Sequence, residues 1–230
     1  MNRKHLFSLA IAASTFLSSA AFAASGTPER VRGTVSSVSA SAVTIETDAG
    51  KPVIVSLTGK TAYLGVVKSS LDHVEKGSFI GTATKDVGGT QVALEVVVFP
   101  PSMRGAGEGH YAWDKIPDTT LSGGAQTSSS MTNGNVATVS TSVPDVNSAM
   151  TNGNVAATKA EGGVTHLVVT YKGGKQDVLV PPTAPIVTFH PGSQALLTKG
   201  SNVFVKATET GSGLVADAVA VGIDGVKPPM

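Results

Sequence analysis

The sequence predicts an all-β fold of two tandem five-stranded OB-like barrels joined by a Gly/Ser-rich linker. Three observations lead there. Apolar residues alternate with polar or small ones at a period of two, the signature of half-buried strands. Glycine-containing turns punctuate the runs, in a chain with 26 glycines among 230 residues. Beyond a shared Lys-Gly-Ser, the two halves stay in register at an offset of 123 residues. Gly88 aligns with Gly211, Ala93 with Ala216, Val96 with Val219 and Val98 with Val221. A match this long reads as two copies of one unit rather than shared strand composition.

The first segment stands outside that fold. Arg3, Lys4 and His5 give a basic start, Leu6 to Ala21 is apolar, and Ala21-Phe22-Ala23 has the small-x-small pattern of a cleavage site. Residues 1–23 are expected to be a secretory signal peptide. Its removal leaves 15 basic and 16 acidic residues, against 17 and 16 in the precursor. No other stretch is apolar enough to span a bilayer, so the mature protein is expected to be periplasmic or secreted and not membrane-spanning. Cysteine is absent, which removes disulfides and thiolate chemistry. Aromatic residues make up only 5% of the chain, so the core must be built from Val, Ala, Leu and Ile.

The first β domain is expected over residues 29–100. Val31, Gly33, Val35 and Val38 open it, Val43 and Ile45 come next, and Asp48-Ala49-Gly50 turns into Val53, Val55 and Leu57. Ser69 to Gly77 reads as one or two capped helical turns. Phe79–Lys85 and Gln91–Phe99 form a hairpin around Val87-Gly88-Gly89. The second β domain is expected over 150–226, with Leu167–Tyr171, Val178 and Val180, Pro185–Phe189, and Lys199-Gly200-Ser201 in the corresponding places. Five strands with a short helical turn between the third and fourth match the OB-type order. A different small barrel or a sandwich fits the same pattern. Residues 227–230 form a tail.

Between the domains, residues 101–149 read as a linker. Pro100-Pro101 ends a strand, and Gly, Ser, Thr and Asp dominate the run from Ser102 to Ser130. Met131-Thr132-Asn133-Gly134-Asn135-Val136-Ala137 recurs, letter for letter, at Met150–Ala156. In the second copy Gly153-Asn154-Val155 matches Gly33-Thr34-Val35, so that copy is expected to open the second barrel. The first copy is then either a duplication without a separate role or an added edge strand.

Motifs with strong chemical meaning are absent. Gly105-x-Gly107-x-Gly109 lacks the strand-to-helix setting of a dinucleotide loop. Gly59-Lys60-Thr61 lacks the first glycine of a phosphate loop, and there is no Gly-x-Ser-x-Gly elbow. Lys and Arg are scattered singly, which excludes an electrostatic nucleic-acid surface. The reactive-type side chains gather in one place: Arg104, Glu108, His110, Tyr111, Trp113 and Asp114, including the only Trp. This loop is the candidate ligand or interface site. Glu108 and His110, two apart on an extended segment, share a face. With Asp114 they offer mixed N/O ligands for a divalent metal. The alternative is structural, with Trp113 an apolar plug between the barrels and Arg104 pairing with Asp114 or Glu108 at its rim. On that reading Trp113→Ala costs roughly 3–5 kcal/mol. The other histidines, His73, His166 and His190, lie singly on turns or strand ends.

The strand–turn pattern, together with Met103-Arg104-Gly105-x-Gly107-Glu108-Gly109-His110-x-x-Trp113-Asp114 and the C-terminal Val221–Met230, resembles DUF5666-type domains of secreted bacterial proteins. The two-copy subfamily of that type is often labelled a metal ABC transporter permease. A permease needs several apolar spans, which this chain lacks. The resemblance implies no activity. The expected role is a non-catalytic binding or structural module of the cell envelope, not an enzyme, with an envelope protein or small ligand as partner, no nucleic acid and no required cofactor. The rivals are a periplasmic metal-binding accessory protein using Glu108, His110 and Asp114, and a hydrolase with a site between the barrels.

Overall fold

Alternation of period two turns valines, isoleucines and alanines to one face of each strand, and the core forms where those faces meet. The computed structural model describes residues 26–121, 124–142 and 163–229. Its strands are β1 (Thr27–Val38), β2 (Ala42–Thr47), β3 (Pro52–Ser56), β4 (Ala62–Lys68), β5 (Phe79–Val87), β6 (Thr90–Val98), β7 (Gly109–Ala112), β8 (Ile116–Pro117), β9 (Gln126–Thr127), β10 (Ser130–Ser142), β11 (Val164–Tyr171), β12 (Gly174–Val180), β13 (Ile186–Pro191), β14 (Asn202–Thr210) and β15 (Gly213–Gly222). Among the described residues the only helical pieces are 3-10 turns at Leu71–His73, Pro101–Met103 and Gln194–Leu196. The protein is all-β, as its sequence predicts. Among the described residues no helix is long and apolar enough to cross a membrane.

Among the described residues thirteen strands form one large mixed sheet, and β8 and β9 make a separate ribbon. Within the large sheet the pairing closes on itself twice. One ring runs β14–β1–β2–β3–β15 and back to β14, closed by the parallel pairs Leu214–Val55 and Val215–Ser56. The other runs β5–β10–β11–β12–β6 and back to β5, closed by Val178–Gln91 and Leu179–Val92. Each ring encloses its own core. Val35, Ile45, Val55, Val205 and Val219 fill the first, and Ile80, Val96, Val136, Leu167 and Val178 fill the second.

Each ring takes strands from both repeats. Strands β1, β2 and β3 of the first repeat close with β14 and β15 of the second. Strands β5 and β6 of the first close with β10, β11 and β12. One barrel per repeat, side by side in the chain, is therefore not how the strands pair. The crossing strands are β4 and β13, which carry the chain from one ring to the other. They pair antiparallel with Val66 opposite Phe189, two positions related by the 123-residue offset. A local two-fold thus passes through that pair. In keeping with it, β4 lies parallel to β15 and β13 lies parallel to β6, with Tyr63–Val219 matching Ile186–Val96. The first-repeat strand β4 was not expected from the sequence, because Tyr63-Leu64-Gly65-Val66-Val67 breaks the alternation.

The repeated Lys-Gly-Ser has a structural task in this exchange. Gly77 N–H donates to Val136 O (2.8 Å), and Val136 N–H donates to Ser78 O (2.8 Å). At the related place Gly200 N–H donates to Val35 O (2.8 Å), and Val35 N–H donates to Ser201 O (2.9 Å). Gly77 and Gly200 sit at φ 91° and 90°, a region that a side chain disfavours. Each motif thereby clamps the opening strand contributed by the other repeat.

The same symmetry identifies which heptapeptide opens the second repeat. Val136 pairs with Val169 as Val35 pairs with Ile45, and a bulge comes after each. The first copy, Met131–Ala137, therefore holds the place that the glycine match assigned to the second. Met150–Ala156 lies outside the described residues. Far from being a bare linker, residues 101–142 supply β7 to β10 and the buried side chains of Met131 and Val136.

A third cluster joins the rings. Val66, Phe79, Val97, Phe99, Val187, Phe189, Ala220 and Val226 are buried together, with Phe99 lying 5.4 Å from Phe79 and 5.7 Å from Phe189 between ring centroids. The C-terminal tail closes over it. A β-carbon on Gly222 would lie 1.7 Å from Val226 O, so this turn requires glycine.

Candidate functional site

The loop singled out by its residue types becomes a flap over the ring that contains β10. Strand β7 pairs with β10, with His110 opposite Thr132 and Tyr111 opposite Met131. Beneath it lies a small satellite core of Ala83, Leu94, Ile116 and Met131, and the partly buried Trp113 packs on it. Arg30 of β1 stacks its guanidinium 3.8 Å from the Trp113 ring centroid, and Tyr111 meets the same ring edge-on at 5.9 Å. Burial pushes the Tyr111 hydroxyl pKa up, and the Arg30 charge partly offsets this.

The charged members of the loop point to separate partners. Arg104 donates to Gly77 O at 2.8 Å and to Asn135 Oδ1. Glu108 Oε1 accepts the Lys172 N–H at 2.9 Å. His110 Nδ1 lies 2.8 Å from Thr132 Oγ1, and its ring stacks on Tyr171. Asp114 is bridged by Arg30 at 3.0 Å and by Arg32 at 2.7 Å. Glu108, His110 and Asp114 are thus not brought together. Among the described residues no group of three His, Asp or Glu side chains is placed to hold a metal ion. The cation at the rim of Trp113 is also not Arg104. It is the Arg30–Arg32 pair, arriving from a strand 82–84 residues away in sequence. Two isolated arginines on an alternating strand carry no sequence signal for that meeting.

Because Trp113 caps the satellite core from one side only, its truncation should cost less than full burial implies. Trp113→Ala is expected to lower stability by about 2–3 kcal/mol, from lost packing plus the cation–π contact. Urea denaturation measures it. A loss below about 0.5 kcal/mol would mean the ring contributes no more than an ordinary surface residue.

A second anchor holds the flap. Lys85 Nζ contacts Asp118 Oδ2 at 2.7 Å, with the Asp118 side chain nearly fully buried. Burial raises the Asp118 pKa, but hydrogen bonds from Lys85 and from the Thr120 hydroxyl and N–H outweigh it, so the carboxyl sits below the usual range. The folded state is thus favoured by this carboxylate above about pH 3.9, and that contribution fades as the pH drops through its lowered pKa.

The flap, the C-terminal tail and the two rings enclose a cleft of about 590 Å³. Its apolar walls come from Ile116, Ile186, Val187, Val203, Val226 and Pro229. Charged groups stand around them: Arg32, Lys68 and Lys227 against Asp48 and Glu95. Lys68 and Lys227 are exposed and form no ion pair with a described residue. The cleft takes in residues from both ends of the described chain, so sequence proximity could not reveal it. No family model, no curated protein and no solved structure matches this chain.

Proposed function

We propose that the protein is a periplasmic or secreted, non-catalytic binding module of the cell envelope, and that the inter-ring cleft is its binding site for a small amphipathic anion. The observation that carries this reading is the cleft itself: apolar walls of drug-sized volume, with two lysines at the rim that pair with no described carboxylate. The basic start and apolar run of residues 1–23 support export. The cyclic strand order of each ring, three consecutive strands closed by a parallel contact to a hairpin, supports two OB-like barrels assembled by exchange between the repeats. The DUF5666-type resemblance belongs to the same reading, because one of its two specific segments, the C-terminal one, lines the cleft through Gly225 to Pro229.

Non-catalytic is supported by the side chains available. Ser69 and Ser70 each lie 3.4 Å from His73 Nδ1, but on an exposed turn. Asp72 accepts from Ser70 instead of orienting the imidazole. A nucleophile with an oriented base is not assembled there.

Dodecanoate serves as a probe with an apolar chain and one carboxylate. Calorimetric titration into the mature protein is expected to give saturable one-to-one binding in the micromolar to submillimolar range. Lys68→Ala and Lys227→Ala are each expected to weaken it about threefold, the scale of one solvent-exposed charge contact. Absence of binding up to the solubility limit, or binding indifferent to both lysines, rejects the reading.

A further inference from the structure

Met131–Ala137 and Met150–Ala156 are the same seven residues, and the described residues form one slot for them, which the first copy fills. The first six positions of the seated copy each have a task. Met131 and Thr132 are fully buried. Asn133 Nδ2 donates to Gly107 O at 3.1 Å. Gly134 passes so near the neighbouring strand that a β-carbon would stand 2.3 Å from Thr170 O. Asn135 Oδ1 accepts from Arg104, and Val136 fills the ring core while exchanging backbone bonds with Gly77 and Ser78. Nothing in these tasks distinguishes one copy from the other.

The flanking residues extend the equivalence. Ser129 accepts the Trp113 N–H through its carbonyl and donates its hydroxyl to Asp114 O, and Ser148 holds the same place before the second copy. After the first copy, β10 runs on beside β11 until Ser142 faces Val164, leaving 21 residues between them. Moved by the 19-residue spacing of the copies, Glu161 faces Val164 with only Gly162-Gly163 between. Gly-Gly is a preferred two-residue hairpin connection. The second copy thus has the side chains for the slot, and a tight turn that puts it in register with β11.

We infer that the slot is shared: either copy of the heptapeptide can fill it, and the copy left out is a spare strand. This is independent of what the cleft binds. The first repeat has no such reserve, since Gly33 stands once in its slot, where a β-carbon would lie 2.0 Å from Glu46 O.

Four variants of the full chain test the inference: Gly134→Val, Gly153→Val, the double variant, and Gly33→Val. Either single change in the duplicated segment is expected to move the thermal midpoint by no more than a few degrees, because the intact copy takes the slot. The double variant is expected to fall by roughly 10 °C or more, or to lose its cooperative transition, and Gly33→Val to fall alike. Hydrogen exchange reads the occupant directly: in Gly134→Val the amides of 150–156 gain protection while those of 131–137 lose it. Gly134→Val as damaging as the double variant overturns the inference. So does a double variant whose effect only sums the two singles, or a folded Gly134→Val in which the amides of 150–156 gain no protection over the unmodified chain.

Discussion

Replacing Phe99 with alanine should destabilise the protein by about 3–5 kcal/mol, the usual loss for a buried phenylalanine truncated to a methyl. Phe99 comes directly after β6 and is 9% exposed. It lies between Phe79 of β5 and Phe189 of β13 in tilted contacts, so one side chain touches both a strand of the second closed ring and a crossing strand. The cavity left behind cannot collapse easily. Two strand pairings fix its walls, and the backbone of Phe99 is itself bonded to Phe79 O at 3.0 Å. Equilibrium urea denaturation gives the value, and Ile54→Ala, at a side chain 67% exposed, gives the surface comparison of within about 0.5 kcal/mol. The variant should still unfold in one transition. Each ring contains strands from both repeats, so neither repeat can unfold while the other keeps its strand partners. Two separated transitions, or a loss under about 1.5 kcal/mol, would contradict this view of the junction.

Much of the architecture was legible in the sequence, and the part that was not has a definite physical reason. Alternation identified the strands flanking Gly50, Gly88, Gly173 and Gly211, because period two survives wherever one strand face is buried and the other is wet. It could not show which repeat supplies the partner. The valines of β14 fit beside β1 as well as those of β5 would, since the two repeats present the same pattern at the same spacing. The deciding elements are β4 and β13, which pair with each other and each with a strand of one ring, a partnership that alternation does not encode. The heptapeptide was misassigned for a related reason. Two identical copies offer identical local evidence, so the residues of the segment itself could not choose between them.

The candidate site was legible only as composition. Arg104, Glu108, His110, Tyr111, Trp113 and Asp114 do form one continuous structure, a flap whose polar groups are mostly occupied in holding it down. Spacing on an extended strand said that Glu108 and His110 share a face. It did not say that one would bond the Lys172 backbone and the other Thr132. The cleft was invisible for a different reason. Its walls are ordinary apolar strand residues whose importance lies in a gap between two rings, and a gap has no sequence pattern. Only the C-terminal Val226-Lys227-Pro228-Pro229 gave a local hint, because prolines after a strand must leave the sheet.

The most damaging single change should be Val66→Asp, with an expected loss above about 4 kcal/mol at neutral pH. Val66 is 0% exposed and lies on the local two-fold, opposite Phe189, with its carbonyl accepting the Ile223 N–H at 2.9 Å. Its buried neighbours are valine, phenylalanine and alanine side chains, and none of them carries a cation. A carboxylate there would lose its hydration without compensation, which raises its pKa in the folded state above the ordinary aspartate value near 3.9. That shift sets the sign of the pH dependence. Above the raised pKa the folded state must hold a charge that the unfolded chain hydrates freely, and the full penalty applies. As the pH falls through the raised pKa toward the unfolded value, the folded state takes up a proton first and part of the penalty disappears. Val66→Thr separates this from the insertion of any polar group, since it keeps the shape, adds only a hydroxyl, and should cost about 1–3 kcal/mol independent of pH. Denaturation of both variants at pH 7 and pH 4 decides the matter: Val66→Asp should recover stability relative to Val66→Thr at the lower pH. Equal losses at both values would mean that water reaches Val66, and that β4 and β13 do not seal the junction through which the two repeats exchange their strands.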